Sequence, residues 1–392
     1  MTFLAWALYD LANTFFAVAM LSFYFPLWVV EDHGAKELVY SAALAVSMIC
    51  VALLMPICGA ISDATHQRMR YLRWTTLGCV SATFLTGLLD ELWAALVLFA
   101  VGNVCYQLGT VFYDALLWQV APPQRLGKAS SIGAAFGYLG SMTGLAFLWP
   151  FVRHGGHQAA FIPSAVFFLL FALPSFAVLR DPKPLGPVAW GATIRQAFAR
   201  LRLTLRSVRA YAGLWRFFLA SFFSLNAINT VLVFMGVYAR RVMGFTLGQL
   251  ISFFLFSQVF AIAGSLVFGQ VIPRWGAKRT LAWIWFGWMA ALALVAMSPS
   301  SRWLWVAGPL IGFCLGSTWA TSRVLVVELS PKDQLAEMFG LAGLFARLSS
   351  VIGPLVWGLL VWDPARYRQA VLLLIGLLAV GLALLRRVPS PR

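Results

Sequence analysis

The sequence predicts an all-α polytopic membrane protein with 12 transmembrane helices in two pseudo-symmetric six-helix bundles. Three observations predict it: an oil-like composition, span-length apolar stretches from end to end, and a repeat that lays the first half of the chain over the second. Of 392 residues 61% are apolar and 11% charged, whereas a soluble domain is about half apolar and roughly a quarter charged. Roughly 20 apolar residues carry a helix across the hydrocarbon core. That leaves little mass outside the membrane.

Taken in order, the expected spans are 3–30, 38–62, 71–89, 92–118, 128–152, 158–179, 214–239, 247–272, 280–297, 303–327, 335–362 and 368–386. The first is read as a retained span and not a cleavable signal, because Met1 to Leu8 lacks a basic start and Asp10 sits inside the apolar run. The third and ninth are short, and the longest runs have room to tilt or kink. Between the sixth and seventh lies the longest polar interruption, Arg180 to Tyr211. It divides the chain into an N-terminal bundle (1–180), a basic linker (181–213) and a C-terminal bundle (214–392). Within the linker Ile194, Phe198, Leu201, Leu205 and Val208 recur at helical spacing, opposite Arg195, Arg202, Arg206 and Arg209. That pattern suits a helix lying on an anionic membrane surface and equally a solvated basic connection.

A net charge of +16 raises the question of nucleic acid, and the placement of the basic residues answers it. With the N-terminus inside, 20 Lys and Arg fall in inner loops and at the C-terminus, while only Lys36, Arg153, Arg240, Arg241, Arg302, Arg366 and Arg368 fall in outer ones. This is the asymmetry that orients membrane proteins. No nucleic-acid partner is expected; the partners are a lipid bilayer and a small solute, with both termini cytoplasmic in a bacterial plasma membrane. Of 17 Trp, Trp28, Trp93, Trp149, Trp303 and Trp305 lie near span ends, where aromatic rings anchor at the interface. Cys50, Cys58, Cys79, Cys105 and Cys314 all fall inside spans and are expected unpaired.

The halves repeat. Asp10-Leu-Ala-Asn13-Thr14 parallels Asn226-Ala-Ile-Asn229-Thr230. Gly59 to Asp63, followed by Arg68 and Arg70, parallels Gly269 to Pro273, followed by Gly276, Lys278 and Arg279. Val120-Ala121-Pro122 parallels Leu329-Ser330-Pro331, which sets Asp114 against Arg323 and Gly144 against Gly353. The three matches keep one order at nearly one offset, the mark of duplicated bundles in transporters.

With this six-plus-six repeat and the Gly59, Asp63, Arg68, Arg70 element after the second span, the chain resembles the major facilitator superfamily. There the element forms a cytoplasmic latch between helices. Here Ala64 and His66 replace the expected basic residue and glycine, and the second copy keeps Gly269, Gly276, Lys278 and Arg279 but has Pro273 for the acid. WALYDLANTFF (Trp6 to Phe16), GYLGS (Gly137 to Ser141) and the run from Gly316 to Pro354 look like the branch holding the yeast vacuolar amino-acid exporter and its bacterial relatives. The resemblance implies a monomer that exports small solutes by alternating access, through a cavity lined by the first, fourth, seventh and tenth helices.

A charge at the bilayer centre costs several kcal/mol, so charged residues deep in spans are functional candidates: Asp10, Asp114, Arg323 and Arg347. Asp10 or Asp114 with Arg323 can form a lock broken by substrate or proton, since a desolvated carboxylate titrates near neutrality when tuned. The same residues can instead form fixed ion pairs. Arg347 can hold a substrate carboxylate through its guanidinium fork, or pair within the protein. Tyr9, Asn13, Tyr113, Asn226 and Asn229 can bond a polar solute at midplane depth or neighbouring helices. Gly133, Gly137, Gly140, Gly144, Gly312 and Gly316 are read as close-packing faces.

Enzyme chemistry is not expected. His33, His66, His154 and His157 sit in loops, and no nucleophile elbow or phosphate-cradling loop occurs. No cofactor or metal is implied; His154-Gly-Gly-His157 reads as a polar turn rather than a metal pair. The function that follows is secondary active transport of an amino acid or similar metabolite, coupled to protons, with a lipid or multidrug exporter as the alternative.

Overall fold

The computed structural model describes residues 2–35, 37–181, 195, 199, 211–298, 300–360 and 367–389. Apart from Arg195 and Ala199, the expected linker helix falls outside the described residues. The long helices are α1 (Thr2–Asp32), α2 (Glu37–Thr65), α3 (Arg68–Thr86), α4 (Leu92–Val120), α5 (Leu126–Gly155) and α6 (Phe161–Val178), then α7 (Ala212–Arg241), α8 (Leu247–Trp275), α9 (Ala277–Met297), α10 (Leu304–Leu329), α11 (Leu335–Leu360) and α12 (Tyr367–Arg386). Among the described residues eleven of these are long and apolar enough to cross a membrane. The exception is α3, which opens on Arg68, Arg70 and Arg73. It begins three residues earlier than expected because Arg68 folds inward and is buried.

Large apolar side chains face outward, among them Leu53, Trp74, Val97, Leu170 and Phe286. A water-soluble surface does not carry so much exposed oil; hydrocarbon is the medium it fits. One tryptophan expected at the interface is instead packed inside: Trp28 is buried against Phe25, Phe161 and His33, while Trp305 is half-buried beside Phe245, Phe253 and Phe256. Position near a span end does not say which face a ring takes. Trp93, Trp149 and Trp303 do face outward.

Helix α1 is not uniform. Its regular part ends at Phe16, and π-type turns at Ala17–Ser22 and Trp28–Asp32 flank the single turn Tyr24–Leu27. Pro26 lacks an N–H and its ring presses on the carbonyl four residues back. The break at Phe23, with φ −130° and ψ −69°, falls where that strain is expected.

The chain forms two compact units. One comprises Met1–Pro123, Phe136–Leu203 and Pro331–Leu341; the other comprises Gln124–Ala135, Thr204–Ser330 and Ala342–Arg392. In the first, α1 packs on α6, α3 on α4 and α6, and α2 on α4. In the second, α7 packs on α12, α9 on α10 and α12, and α8 on α10. Each pairing recurs six helices later, so the repeat seen in the sequence is a repeat of packing.

The ends of α5 and α11 follow the same rule. In the first unit α11 starts along α2, where a side chain at Gly59 would strike the Ala336 carbonyl and one at Gly340 the Met55 carbonyl. In the second unit α5 starts along α8, where Gly269 faces Ser131 and the Gly127 carbonyl. Glycine lets two backbones approach this closely.

Candidate functional site

In the first unit α1 and α4 meet through a cluster of aromatic and polar side chains. Trp6 stacks flat on Tyr113, with centroids 4.5 Å apart, and its indole N–H donates to the Tyr113 carbonyl at 3.0 Å. Tyr9 stacks on the same ring at 5.3 Å, and its hydroxyl lies 2.7 Å from Thr76 Oγ1 on α3. This wall holds the next turn of α1 in place. Asn13 donates to Asp10 Oδ1 at 3.5 Å, and a side chain at Gly137 on α5 would meet the Asp10 carboxyl carbon at 3.3 Å. Asp10 is therefore half-buried, with glycine backbone on one side and amide on another.

Asp114 follows Tyr113 on α4, also half-buried. It closes a line of polar residues, Asn103, Gln107, Thr110 and Asp114, spaced by four, three and four, which puts them on one helix face. Asn103 donates to Ser47 Oγ on α2 at 2.7 Å, and Gln107 donates to Asn103 Oδ1 at 3.3 Å. All three are buried. Sequence reasoning missed Asn103, Gln107, Ser47 and Thr76 because it weighed charges first; the period of the line was there to be read.

The α2–α3 element builds a second polar centre in the same unit. Asp63 is buried and accepts from Arg68 Nε at 3.1 Å and Arg68 Nη2 at 2.7 Å. Its other oxygen accepts the Glu337 N–H at 2.8 Å, in the first turn of α11. A carboxylate there satisfies a helix-end donor and complements the dipole. Arg68 also reaches the carbonyls of Ala115 and Lys332, both at 3.4 Å. The Lys332 ammonium sits 4.2 Å from the centre of the Trp118 ring. Arg70 is exposed and bonds Gln67 Oε1 at 2.9 Å.

Two further contacts were not expected. Asp181, just past α6, accepts the N–H groups of Met69 at 2.7 Å and Arg70 at 2.8 Å, capping α3 from a distant part of the chain. Burial raises its carboxyl above the ordinary range, while these two amides, Arg73 and Arg68 pull the other way. Arg73 donates to the Phe176 and Leu179 carbonyls at the end of α6, at 2.6 and 3.4 Å.

His66 holds the turn with φ +54°, the left-handed region. The resemblance places a glycine here, and the second copy has one: Gly276, with φ +76°. In that copy Pro273 is exposed, so the acid's place holds a residue with nothing to pair. Lys278 donates to the Arg386 carbonyl at the end of α12, at 3.2 Å, and Arg279 is exposed.

In the second unit Asn229 on α7 donates to Ser349 Oγ on α11 at 3.3 Å, and Thr230 donates to the Asn226 carbonyl at 2.7 Å. Asn226 is buried and donates to the Phe222 carbonyl at 2.8 Å. Gly353 packs on Asn226 and Thr230 just as Gly140 packs on Leu11 and Thr14 in the first unit. Arg323 on α10 and Arg347 on α11 are half-buried within this unit. Gly312 and Gly316 on α10 lie against the Ser257 and Ala261 carbonyls of α8, a close-packing face as expected.

At the end of α5 and just past it, His154 and His157 turn to different partners. His154 Nδ1 lies 2.7 Å from the Pro150 carbonyl, and His157 Nδ1 lies 2.8 Å from Asp32 Oδ1. Among the described residues no group of three His, Cys, Asp or Glu side chains is disposed to hold a metal ion.

The family model of the Major Facilitator Superfamily matches residues 11–287 and 255–392. An uncharacterized MFS-type transporter, YxiO, of Bacillus subtilis strain 168 is 26% identical over 415 residues, covering 98% of this chain and 94% of that one. A Na(+), Li(+), K(+)/H(+) antiporter of Planococcus maritimus is 29% identical over 171 residues, 42% of this chain and 39% of its own length. The crystal structure of the human organic anion transporter MFSD10 superposes with a TM-score of 0.77 at 16% identity, over 98% of this chain and 97% of that one.

Proposed function

Because the chain belongs to the Major Facilitator Superfamily, and is thus a membrane transporter and not an enzyme, we propose that it moves a small polar solute by proton-coupled alternating access. The observation that carries this reading is the pair of carboxylates, Asp10 and Asp114, on two helices whose polar faces are rigidly scaffolded. Trp6, Tyr9 and Tyr113 hold α1 against α4, so a proton or cation gained at either carboxylate acts on a fixed frame and not on a mobile side chain. A half-buried carboxylate in low dielectric changes its affinity for a proton with small changes in its surroundings.

Asp10 and Asp114 are acids suited to an amino group or a proton, and Arg323 and Arg347 each suit a carboxylate. An amino acid carries both charges, and export follows from the branch that the chain resembles. The two termini face the cytoplasm, the basic loops lie inside, and the bundles divide at the linker 181–213. In this reading Gly59, Asp63, Arg68 and Arg70 form the latch, and Gly269, Gly276, Lys278 and Arg279 a second contact that relies on backbone proximity.

The test is uptake of labelled amino acids into proteoliposomes, with internal pH followed at the same time. Wild type should move protons with the solute, and Asp114→Asn should move solute without a proton signal or not at all. An unchanged proton signal removes Asp114 from the mechanism. The antiporter relative favours a second reading, exchange of a monovalent cation for protons, with Asp10 and Asn13 as oxygen ligands. A proton flux driven by Na(+) or K(+) alone, with no amino acid present, selects it.

A further inference from the structure

One corner of the second unit gathers positive charge on helices that carry no acid. It forms where α7 begins, α8 turns into α9 and α12 ends. Arg216, Arg274, Arg279, Arg386 and Arg387 are exposed there, with Lys278 half-buried among them. Helices α7, α8, α9 and α12 contain no Asp or Glu. The charges are drawn together by the chain itself: Lys278 donates to the Arg386 carbonyl at 3.2 Å and Arg216 to the Arg387 carbonyl at 3.1 Å. A helix C-terminus offsets only about half an elementary charge. The remainder calls for anions from outside the protein.

The apolar surface beside the corner says what kind of anion. On α9, Arg279, Trp283 and Phe286 follow at spacings of four and three and are all exposed, with the two rings edge to face at 6.0 Å. On α12 and just past it, Leu373, Gly376, Val380, Ala383 and Arg387 run at spacings of three, four, three and four, again all exposed. This second stripe is apolar and low in relief, since Gly376 and Ala383 raise little above the helix. A side chain added at Gly376 would meet nothing within 4 Å, so the stripe has an open notch. Helices α9 and α12 pack on each other. Two packed helices thus each carry an exposed apolar stripe that ends in an arginine.

We propose that this corner binds an anionic phospholipid, its phosphate held by Lys278, Arg279 and Arg387 and its acyl chains lying along the two stripes. A free anion has the charge but no use for the stripes, and a neutral lipid has the chains but leaves the cations unbalanced. Arginine suits the task because its fork engages two phosphate oxygens at once. The site is independent of the transported solute.

The experiment is native mass spectrometry of the full chain in detergent, titrated with phosphatidylglycerol or with phosphatidylcholine of the same chains. Wild type should retain phosphatidylglycerol roughly tenfold more tightly, well within what three basic groups near an anionic surface supply. The variant Lys278→Gln/Arg279→Gln/Arg387→Gln should lose that preference, and Lys278→Arg/Arg279→Lys/Arg387→Lys should keep it. Arg153→Gln/Arg302→Gln/Arg368→Gln, exposed residues elsewhere on the chain, should keep it as well. Equal retention of the two lipids by wild type, preference surviving in the Gln variant, or equal loss in the control variant would overturn the proposal. So would inorganic phosphate that raises the melting temperature as much as phosphatidylglycerol does.

Discussion

Replacing Asp63 tests whether the α2–α3 element holds the first unit together by charge. In the wild type this carboxylate is 1% exposed and accepts three hydrogen bonds, two from Arg68 and one from the Glu337 N–H. Asp63→Ala leaves the Arg68 guanidinium, 7% exposed, with only the two carbonyl contacts at 3.4 Å. Stripping one partner from a buried ion pair costs about 3–5 kcal/mol. Loss of the acceptor at the start of α11 adds about 1 kcal/mol.

The chemistry separates these parts. Asp63→Asn keeps one oxygen and the volume but no charge, so it should cost less than Asp63→Ala, with the ion-pair share lost and the cap partly kept. Asp63→Leu/Arg68→Met removes both charges and should recover most of the loss, since a matched apolar pair often equals or exceeds a buried ion pair. The assay is unfolding of the purified protein, by heat with size-exclusion readout and by denaturant for the free energy. If the double variant is as unstable as Asp63→Ala, or if Asp63→Ala costs less than about 1 kcal/mol, the charge argument is wrong.

Further outcomes follow from single contacts. His66→Gly relieves a left-handed backbone that costs a side-chain-bearing residue about 1–2 kcal/mol, part of which returns as unfolded-chain entropy; the melting temperature should rise, and a fall refutes the strain. Gly140→Ala drives a methyl group onto the Leu11 carbonyl and should destabilise by about 1–3 kcal/mol. Gly144→Ala meets only ordinary contacts at 3.6 Å and beyond, so it should be neutral or better; equal effects of the two refute the packing difference. Asn103→Leu removes the bonds to Ser47 and Gln107, for about 0.6–2 kcal/mol, with Ser47→Ala costing no more in its presence; additive losses in that double variant would dissociate the pair.

What the sequence revealed follows from what the bilayer demands. Hydrocarbon requires each crossing segment to be continuous and apolar, so eleven helices stood out plainly, while α3 was placed three residues late because its arginines look like loop. The glycine faces were legible for the same reason: backbone contact between spanning helices needs small residues. Inward contacts were not. The partner of Asp63 at Glu337 is a backbone N–H 274 residues away, and no side-chain pattern announces it. Asp181 likewise caps α3 through main-chain groups. The wrong placement of Trp28 has a related origin, since an end-of-span tryptophan satisfies the same rule whether it turns to lipid or to Phe161.

The two copies of the α2–α3 element show how one packing task is met by different means. Both place a helix start against a glycine-bearing helix, α11 on α2 and α5 on α8, in matching register. The first copy adds Asp63 and Arg68 beneath that contact, together with the strained His66 turn; the second has Pro273 and an unstrained Gly276. Backbone proximity varies little with pH or with bound ions, whereas a buried ion pair is tightly bound when intact and unstable when either partner is neutralised. The first copy is therefore the one whose stability depends on the charge of its residues, and the strain at His66 lowers that stability. It follows that His66→Gly and Gly276→His, opposite in their effect on stability, should differ in their effect on transport. The former should stabilise, and the latter should destabilise its own unit by about 1–2 kcal/mol. Equal and opposite effects on transport from the two would show that both contacts switch, and would refute the division of labour.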